Sequence, residues 1–336
     1  MDPARQPGRV DAVTLGLGAL LASMSAFAAW DQWAVWSTKD DYTFGYLVPF
    51  LAAYVLWDRW DSLRAELVGQ GVDGPPARPA ATGAATAVAF LSLGVFALGA
   101  AGRAIFGTGP VPTLAIAFGL AGSGLTFAYL SARGRAGAEP SGASRLRAAS
   151  LLTFPACVWI VSGPFLYLVD NQVKGGLLTL VTEVVSGILR ASGHVIRTSG
   201  NTIIFANNDA VGVADACSGI RSLSACVFAA AFLGAVFIEG GRLGVLIRKA
   251  LLIAAGGLVA ILLNLGRNVF LASHALAHGS KSLDLDPWGV PHGAPGFSSL
   301  GTVHDLAGNV AMVVALLLLT ALVPLLNRAG RTSPER

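Results

Sequence analysis

Apolar runs of about 20 residues recur along the whole chain, and each is long enough to cross a hydrocarbon core of roughly 30 Å. They fall near 12–29, 44–58, 81–101, 111–131, 151–169, 217–238, 250–272 and 304–325. Of the 336 residues, 54% are hydrophobic and 12% charged, with a mean hydropathy of +0.64, which excludes an ordinary soluble domain. The expected fold is an all-α polytopic membrane protein with about eight transmembrane helices. The net charge of +4 is not gathered into a basic stripe with interleaved aromatics, so no nucleic-acid partner is expected. Three cysteines at different expected depths make no disulfide framework.

The basic residues set the orientation. With the N-terminus inside, fifteen Lys and Arg fall on the inner side and eight on the outer, so both termini are expected in the cytoplasm. Arg5 and Arg9 precede the first run, and Ala26-Phe27-Ala28 resembles a signal cleavage site; removal there leaves the orientation of the rest unchanged. "GVDGPPARPA" (71–80) and "SARGRAGAEPSGASRLR" (131–147) read as flexible cytoplasmic linkers. The chain therefore divides into an N-terminal transmembrane region (1–150), a transmembrane core (151–325) and a cytoplasmic tail (326–336).

Two outer segments are longer. Residues 171–192 carry Leu177, Val181, Val184 and Ile188 at helical spacing, suited to a small extracytoplasmic helix lying in the interface. The next stretch has short β-prone runs broken by Ser199-Gly200-Asn201 and Asn207-Asn208-Asp209, and reads as a hairpin-like element leading into Cys217. No internal repeat suggests an inverted-repeat transporter.

This topology brings three reactive side chains to one depth. Cys217 starts the sixth run at its outer end, Arg267 approaches the outer surface on the seventh, and His304 opens the eighth. A thiolate is the reactive form of cysteine, and a helix N-terminus or a neighbouring cation favours it. Imidazole exchanges protons near neutral pH, and guanidinium suits the oxyanion of a tetrahedral intermediate. Together these describe acyl transfer through a thioester. No cofactor is needed.

The motifs around these residues, "ACSGIRS" (216–222), "NLGR" (264–267) and "HDLAG" (304–308), occur in the order found in the exosortase/archaeosortase family, which the chain resembles. The likeness extends to "DDYTFGYLVPFLAAYVLW" (40–57), where Phe44 precedes Gly45 and the family usually has a histidine. The resemblance implies Cys217 as nucleophile, with Arg267 and His304 completing the site, in a bacterial or archaeal cytoplasmic membrane with the site facing outward. It implies as partners secreted proteins whose C-terminal tail carries a short motif, often Pro-Glu-Pro, then a transmembrane helix and a basic cluster. Membrane lipid surrounds the enzyme, and a surface lipid or glycan is the implied acyl acceptor.

Arg221 lies four residues after Cys217, one turn along the same helical face, where it tunes the thiol, binds tail carboxylates or serves structure alone. Asn264, three residues before Arg267, orients the guanidinium or supports packing. Cys157 and Cys226 sit inside apolar runs and read as packing residues. Gly219 and Gly308 read as points of close helix approach. Two rival functions remain at this level. One is a metal-dependent membrane protease built on His274 and His278 with His292, Asp284 or Asp286, although "HALAH" lacks the glutamate of HExxH and no metal is expected. The other is a transporter with Arg221 and Arg267 along a solute path.

Overall fold

The computed structural model describes residues 10–134, 138–164, 170–212, 219–238 and 242–331. Contacts divide the chain into two compact units, Met1–Leu168 and Val169–Arg336. The chain is an all-α polytopic membrane protein carrying one small sheet. Six of the described helices are long and apolar enough to span a bilayer.

The first unit contains α1 (Ala12–Thr38), a 3₁₀ segment (Asp40–Leu47), α2 (Val48–Asp58), α3 (Trp60–Leu67), α4 (Pro79–Phe106), α5 (Pro110–Ser131), α6 (Gly142–Leu151) and α7 (Thr153–Ser162). The Asp11 carboxylate accepts the Thr14 N–H at 3.2 Å and so caps α1, while prolines open α4 and α5 where their missing N–H costs nothing. Helix α5 is the hub, packing on α1, α4, α6 and α7. The runs at 44–58 and 151–169 form helices of 11 and 10 residues, about 15 Å each, which is half a hydrocarbon core. Charge stops the first at Asp58-Arg59, and Gly163-Pro164 stops the second; residues 165–169 lie outside the described residues.

Polar residues pin this unit at both ends of α1. At the far end Gln32 donates to the Trp159 carbonyl (2.9 Å) and accepts from the Ser162 hydroxyl (2.7 Å), while the Trp36 indole donates to the Ser162 carbonyl (3.1 Å). Beside them the fully buried Asp31 takes Arg103 Nε at 2.7 Å. Gly45 lies flat against the Trp36 indole with no room for a side chain, and Phe44 packs near the Tyr42 ring. At the near end, the two expected linkers bind one another. Ser141 caps α6, donates to the Val72 carbonyl at 2.7 Å and bridges to Pro76. Buried Glu66 accepts from the Ser144 hydroxyl and pairs with Arg147 at 3.5 Å. A buried carboxylate needs such partners, which is why these Gly- and Pro-rich stretches are structured. Exposed Trp30 and Trp33 mark the far end, and Trp57 and Trp60 the near end. Asp11 and Asp31 are 20 residues apart on α1, about 30 Å, so the paired aromatics stand where two membrane interfaces belong.

The second unit contains α8 (Asp170–Ala191), strands β1 (Ile196–Ser199), β2 (Thr202–Phe205) and β3 (Ala210–Gly212), α9 (Ile220–Phe237), α10 (Arg242–His278), a 3₁₀ turn (Ser280–Asp284) and α11 (Val303–Arg331). The expected hairpin is a three-stranded antiparallel sheet in the order β1-β2-β3, with Ser199 opposite Thr202 across the Gly200-Asn201 turn. Helix α8 buries Leu178, Val181, Val185 and Leu189 against the sheet and α10. The buried stripe shares only Val181 with the expected one, because α8 carries two adjoining apolar stripes and the core takes one of them.

Helices α9, α10 and α11 pack as an antiparallel bundle. Gly219 at the start of α9 lies on Asn264, Cys226 and Ala230 lie on Gly256, and Gly234 lies on Lys249 and Leu252. At the opposite end Asn327 on α11 donates to the Phe237 carbonyl at 2.8 Å. Cys226 is buried in the bundle core with Leu252 and Leu319, as a packing residue should be.

Candidate active site

Three helix segments converge where α9 begins. Gly219 is the N-cap of α9, with φ +87°, a left-handed conformation that favours glycine. A Cβ there would lie 2.6 Å from Asn264 Nδ2, so the position also lacks space for any other residue. Gly219 is not helical, so α9 begins at Ile220 and Arg221 stands exposed in its first turn; the relation expected between Cys217 and Arg221 involves a residue outside the described ones. Cys217 and the rest of 213–218 lie outside the described residues.

Asn264, Arg267 and Asn268 share one face of α10 at helical spacing. Asn264 and Asn268 are buried, and Asn268 Nδ2 donates to the Asn264 carbonyl at 2.8 Å. Arg267 Nη2 reaches His304, 3.1 Å from Nε2, 3.3 Å from Nδ1 and 3.4 Å from the backbone carbonyl. Guanidinium only donates, so a ring nitrogen that it binds must accept. Arg267 Nε is buried with no hydrogen-bond partner among the described residues.

His304 is fixed by the start of its own helix. The Thr302 hydroxyl accepts the Asp305 N–H at 3.1 Å, and the Asp305 carboxylate accepts the Thr302 N–H at 3.1 Å. This reciprocal capping box places His304 in the first turn of α11. Gly308 lies one turn further on, and a Cβ there would meet the guanidinium at an ordinary 3.5 Å.

Two cavities flank the pair. One, of about 580 Å³, is polar, with His304, Asp305, Asn268, Lys281, Asp284 and Gly212 among its walls. The other, of about 480 Å³ between α10 and α11, is apolar and has Arg267, Phe270, Pro287, Leu306 and Val310 among its walls. The undescribed stretch thus departs from Gly212, on the polar cavity, and returns at Gly219, on Asn264.

The neighbouring loops are tied down. Asp209, after the sheet's second turn, accepts from Ser280 through its N–H (2.6 Å) and hydroxyl (2.5 Å). The Ser280 hydroxyl and N–H hold the Asp209 carboxyl below the usual carboxylate range. Asp286 gathers the N–H groups of Trp288 (3.0 Å), Val290 (2.7 Å) and Ser298 (3.0 Å). Burial pushes its pKa up, but those N–H groups together pull it further down.

A family model described as transmembrane exosortase matches residues 36–321. The chain belongs to the transmembrane exosortase family. It is therefore a multi-pass membrane protein of a family with protease and transpeptidase activity. No curated protein and no solved structure matches it.

For this exosortase, the sequence brought Arg267 and His304 to one level, and the structure brings them into contact. The histidines considered for a metal do not converge. His274 and His278 stack at 4.5 Å between ring centroids, and His292 packs edge-on against Phe297. Among the described residues no three His, Cys, Asp or Glu stand together as a metal site. Sequence reasoning missed Asn268, Lys281 and the Thr302–Asp305 box. The last was legible as Thr-x-x-Asp ahead of an apolar run.

Proposed function

We propose that this exosortase cleaves the C-terminal sorting tails of secreted proteins at the outer face of the membrane, through a thioester on Cys217, and passes the acyl group to a surface lipid or glycan acceptor. The observation that carries the reading is the Arg267–His304 contact beside the start of α9. Two peptide units separate residue 217 from Gly219, so its Cα lies at most about 7.6 Å from that of Gly219. In this reading the thiol works within reach of Asn264, one helical turn from Arg267.

In this reading, neutral His304 takes the Cys217 proton as sulfur attacks the scissile carbonyl carbon. The developing oxyanion is stabilised by the Arg267 guanidinium. Collapse breaks the C–N bond, and His304 returns its proton to the leaving amine. An acceptor hydroxyl or amine then attacks the thioester, giving its proton to His304 and restoring the thiol. Asn264 supports Gly219 on one side and lies a turn from Arg267 on the other, which fits a positioning role.

The test is processing of a tailed reporter in a host expressing the protein. Cys217→Ala abolishes cleavage on this reading, whereas Cys226→Ala leaves it largely intact. Cleavage unchanged in Cys217→Ala removes the nucleophile assignment. A retained thioester on Cys217, trapped by mass spectrometry after acid quench, separates acyl transfer from direct hydrolysis.

A further inference from the structure

The three-stranded sheet of the second unit has two edges, and they are unlike. Edge strand β1 carries the exposed Arg197 and lines neither cavity beside the Arg267–His304 pair. Edge strand β3 is Ala210-Val211-Gly212, with no charge and no proline. All three of its residues line the polar cavity of about 580 Å³ that His304 also lines. A bare strand edge is a template for a further strand, and charge or proline is a common way of blocking one. The edge without either block is the one beside the imidazole.

The ladder fixes which groups that edge presents. The Phe205 N–H donates to the Asp209 carbonyl at 2.8 Å, so these two residues form a hydrogen-bonded pair. Along an antiparallel ladder such pairs alternate with open ones. By the register, Ile203–Val211 is then bonded, and Ile204–Ala210 and Thr202–Gly212 are open. The N–H and C=O groups of Ala210 and Gly212 therefore point away from β2. Both residues are exposed, whereas Val211 packs against the core. One of these groups is already taken, because the Asp209 carboxylate accepts the Ala210 N–H at 2.9 Å. The same carboxylate binds Ser280 and so ties the start of β3 to the 3₁₀ turn on the cavity wall. What remains for a partner includes the Ala210 carbonyl and the Gly212 N–H. A parallel strand uses these two together, since one residue opposite Val211 donates to the first and accepts from the second. An antiparallel strand bonds both groups of Ala210 at once, and there the N–H is engaged.

We propose that the tail segment preceding the scissile bond binds in the polar cavity as a fourth strand, parallel to β3. Direction and chemistry agree. The chain leaving Gly212 carries Cys217 five positions on, and a parallel substrate strand runs the same way, so its C-terminal end leads toward the thiol. The half of the substrate before the scissile bond is the half that stays on the enzyme as a thioester, and main-chain bonds hold it whatever its side chains are. The proposal rests on the tail-cleavage reading above and adds to it the surface that holds the tail.

Binding of the tailed reporter to full-length Cys217→Ala protein tests this, with each of the four amides before the cleavage point replaced in turn by an ester, which deletes one N–H. In a strand, successive N–H groups point to opposite sides. Alternate esters are therefore expected to weaken Kd about tenfold, and the intervening ones to stay within about twofold. Gly212→Pro deletes the outward N–H and leaves the bonds to β2 alone, a change that an edge strand tolerates, and it should weaken binding of the parent reporter about tenfold. Thr198 on β1 lies opposite Ile203, whose own groups face β3, so its N–H also points off the sheet. Thr198→Pro deletes that N–H at the other edge and should stay within about twofold. If Gly212→Pro does not fold, the ester series decides alone. An equal Kd across the ester series overturns the strand, as does an equal loss from Thr198→Pro and Gly212→Pro, or no binding of a reporter that the wild-type protein cleaves. The readout is binding, so cleavage that persists in Cys217→Ala removes the nucleophile assignment and leaves the ester pattern to be read by itself.

Discussion

The two units use buried polar residues in opposite ways. In the first, Gln32, Ser162 and Trp36 bond to one another and to backbone carbonyls, Asp31 is matched by Arg103, and Glu66 by Ser144 and Arg147. These groups tie helices together. In the second, Asn264, Asn268, Arg267 and His304 crowd one end of a bundle between two cavities, and Arg267 keeps a buried donor open. Polar groups that bond from helix to helix are architecture. Polar groups arranged around space, with capacity left over, are chemistry.

Substitutions that alter one arginine in each unit break the comparison most sharply. Arg267→Lys keeps the charge and loses the planar fork, and is expected to lower kcat/KM for tail processing about 10²–10³-fold with little change in melting midpoint. Arg103→Leu strands the buried Asp31 carboxylate and should cost about 3–5 kcal/mol of stability, while kcat/KM per folded molecule stays near wild type. Reversal of these two outcomes, with turnover lost at 103 and stability lost at 267, would dissolve the distinction between the units.

A pair of glycines sharpens it within the second unit. Gly219→Ala meets both a left-handed backbone and the Asn264 amide, and processing is expected to fall at least about tenfold. Gly308→Ala finds ordinary contact distance to Arg267 and should stay within about twofold. The smallest effect concerns the sheet. Asp209 has a lowered folded pKa, so its contribution to stability is complete above the ordinary carboxylate value of about 3.9 and is lost as pH falls through the folded value. Asp209→Asn should therefore melt earlier than wild type from pH 5 to 8, with the gap closing below about pH 4.

Much of this was legible beforehand. Residues with strong local signals set their helices correctly: Asp11 starts α1, Pro110 opens α5, and the Thr302 to Asp305 run opens α11. Apolar content alone did not show that 44–58 passes from a 3₁₀ segment into an 11-residue α-helix, or that a 10-residue helix ends at Ser162 within 151–169. The common level of Arg267 and His304 followed from topology, but their 3.1 Å contact depends on how α10 and α11 pack, which one-dimensional periodicity does not encode. Sequence reasoning passed over Asp31, although a carboxylate inside an apolar helix requires a partner such as Arg103. The partner's identity was not legible, because it comes from a helix about 70 positions away.

The capping box before His304 has one more consequence. It closes within four residues, from Thr302 to Asp305, while Asp286 independently gathers the strand of loop between Trp288 and Ser298. Residues 292–297 supply no group to the box or to Asp286, so changes there are expected to leave the orientation of the imidazole as it is. The tip of that loop is free to vary while His304 stays where it stands.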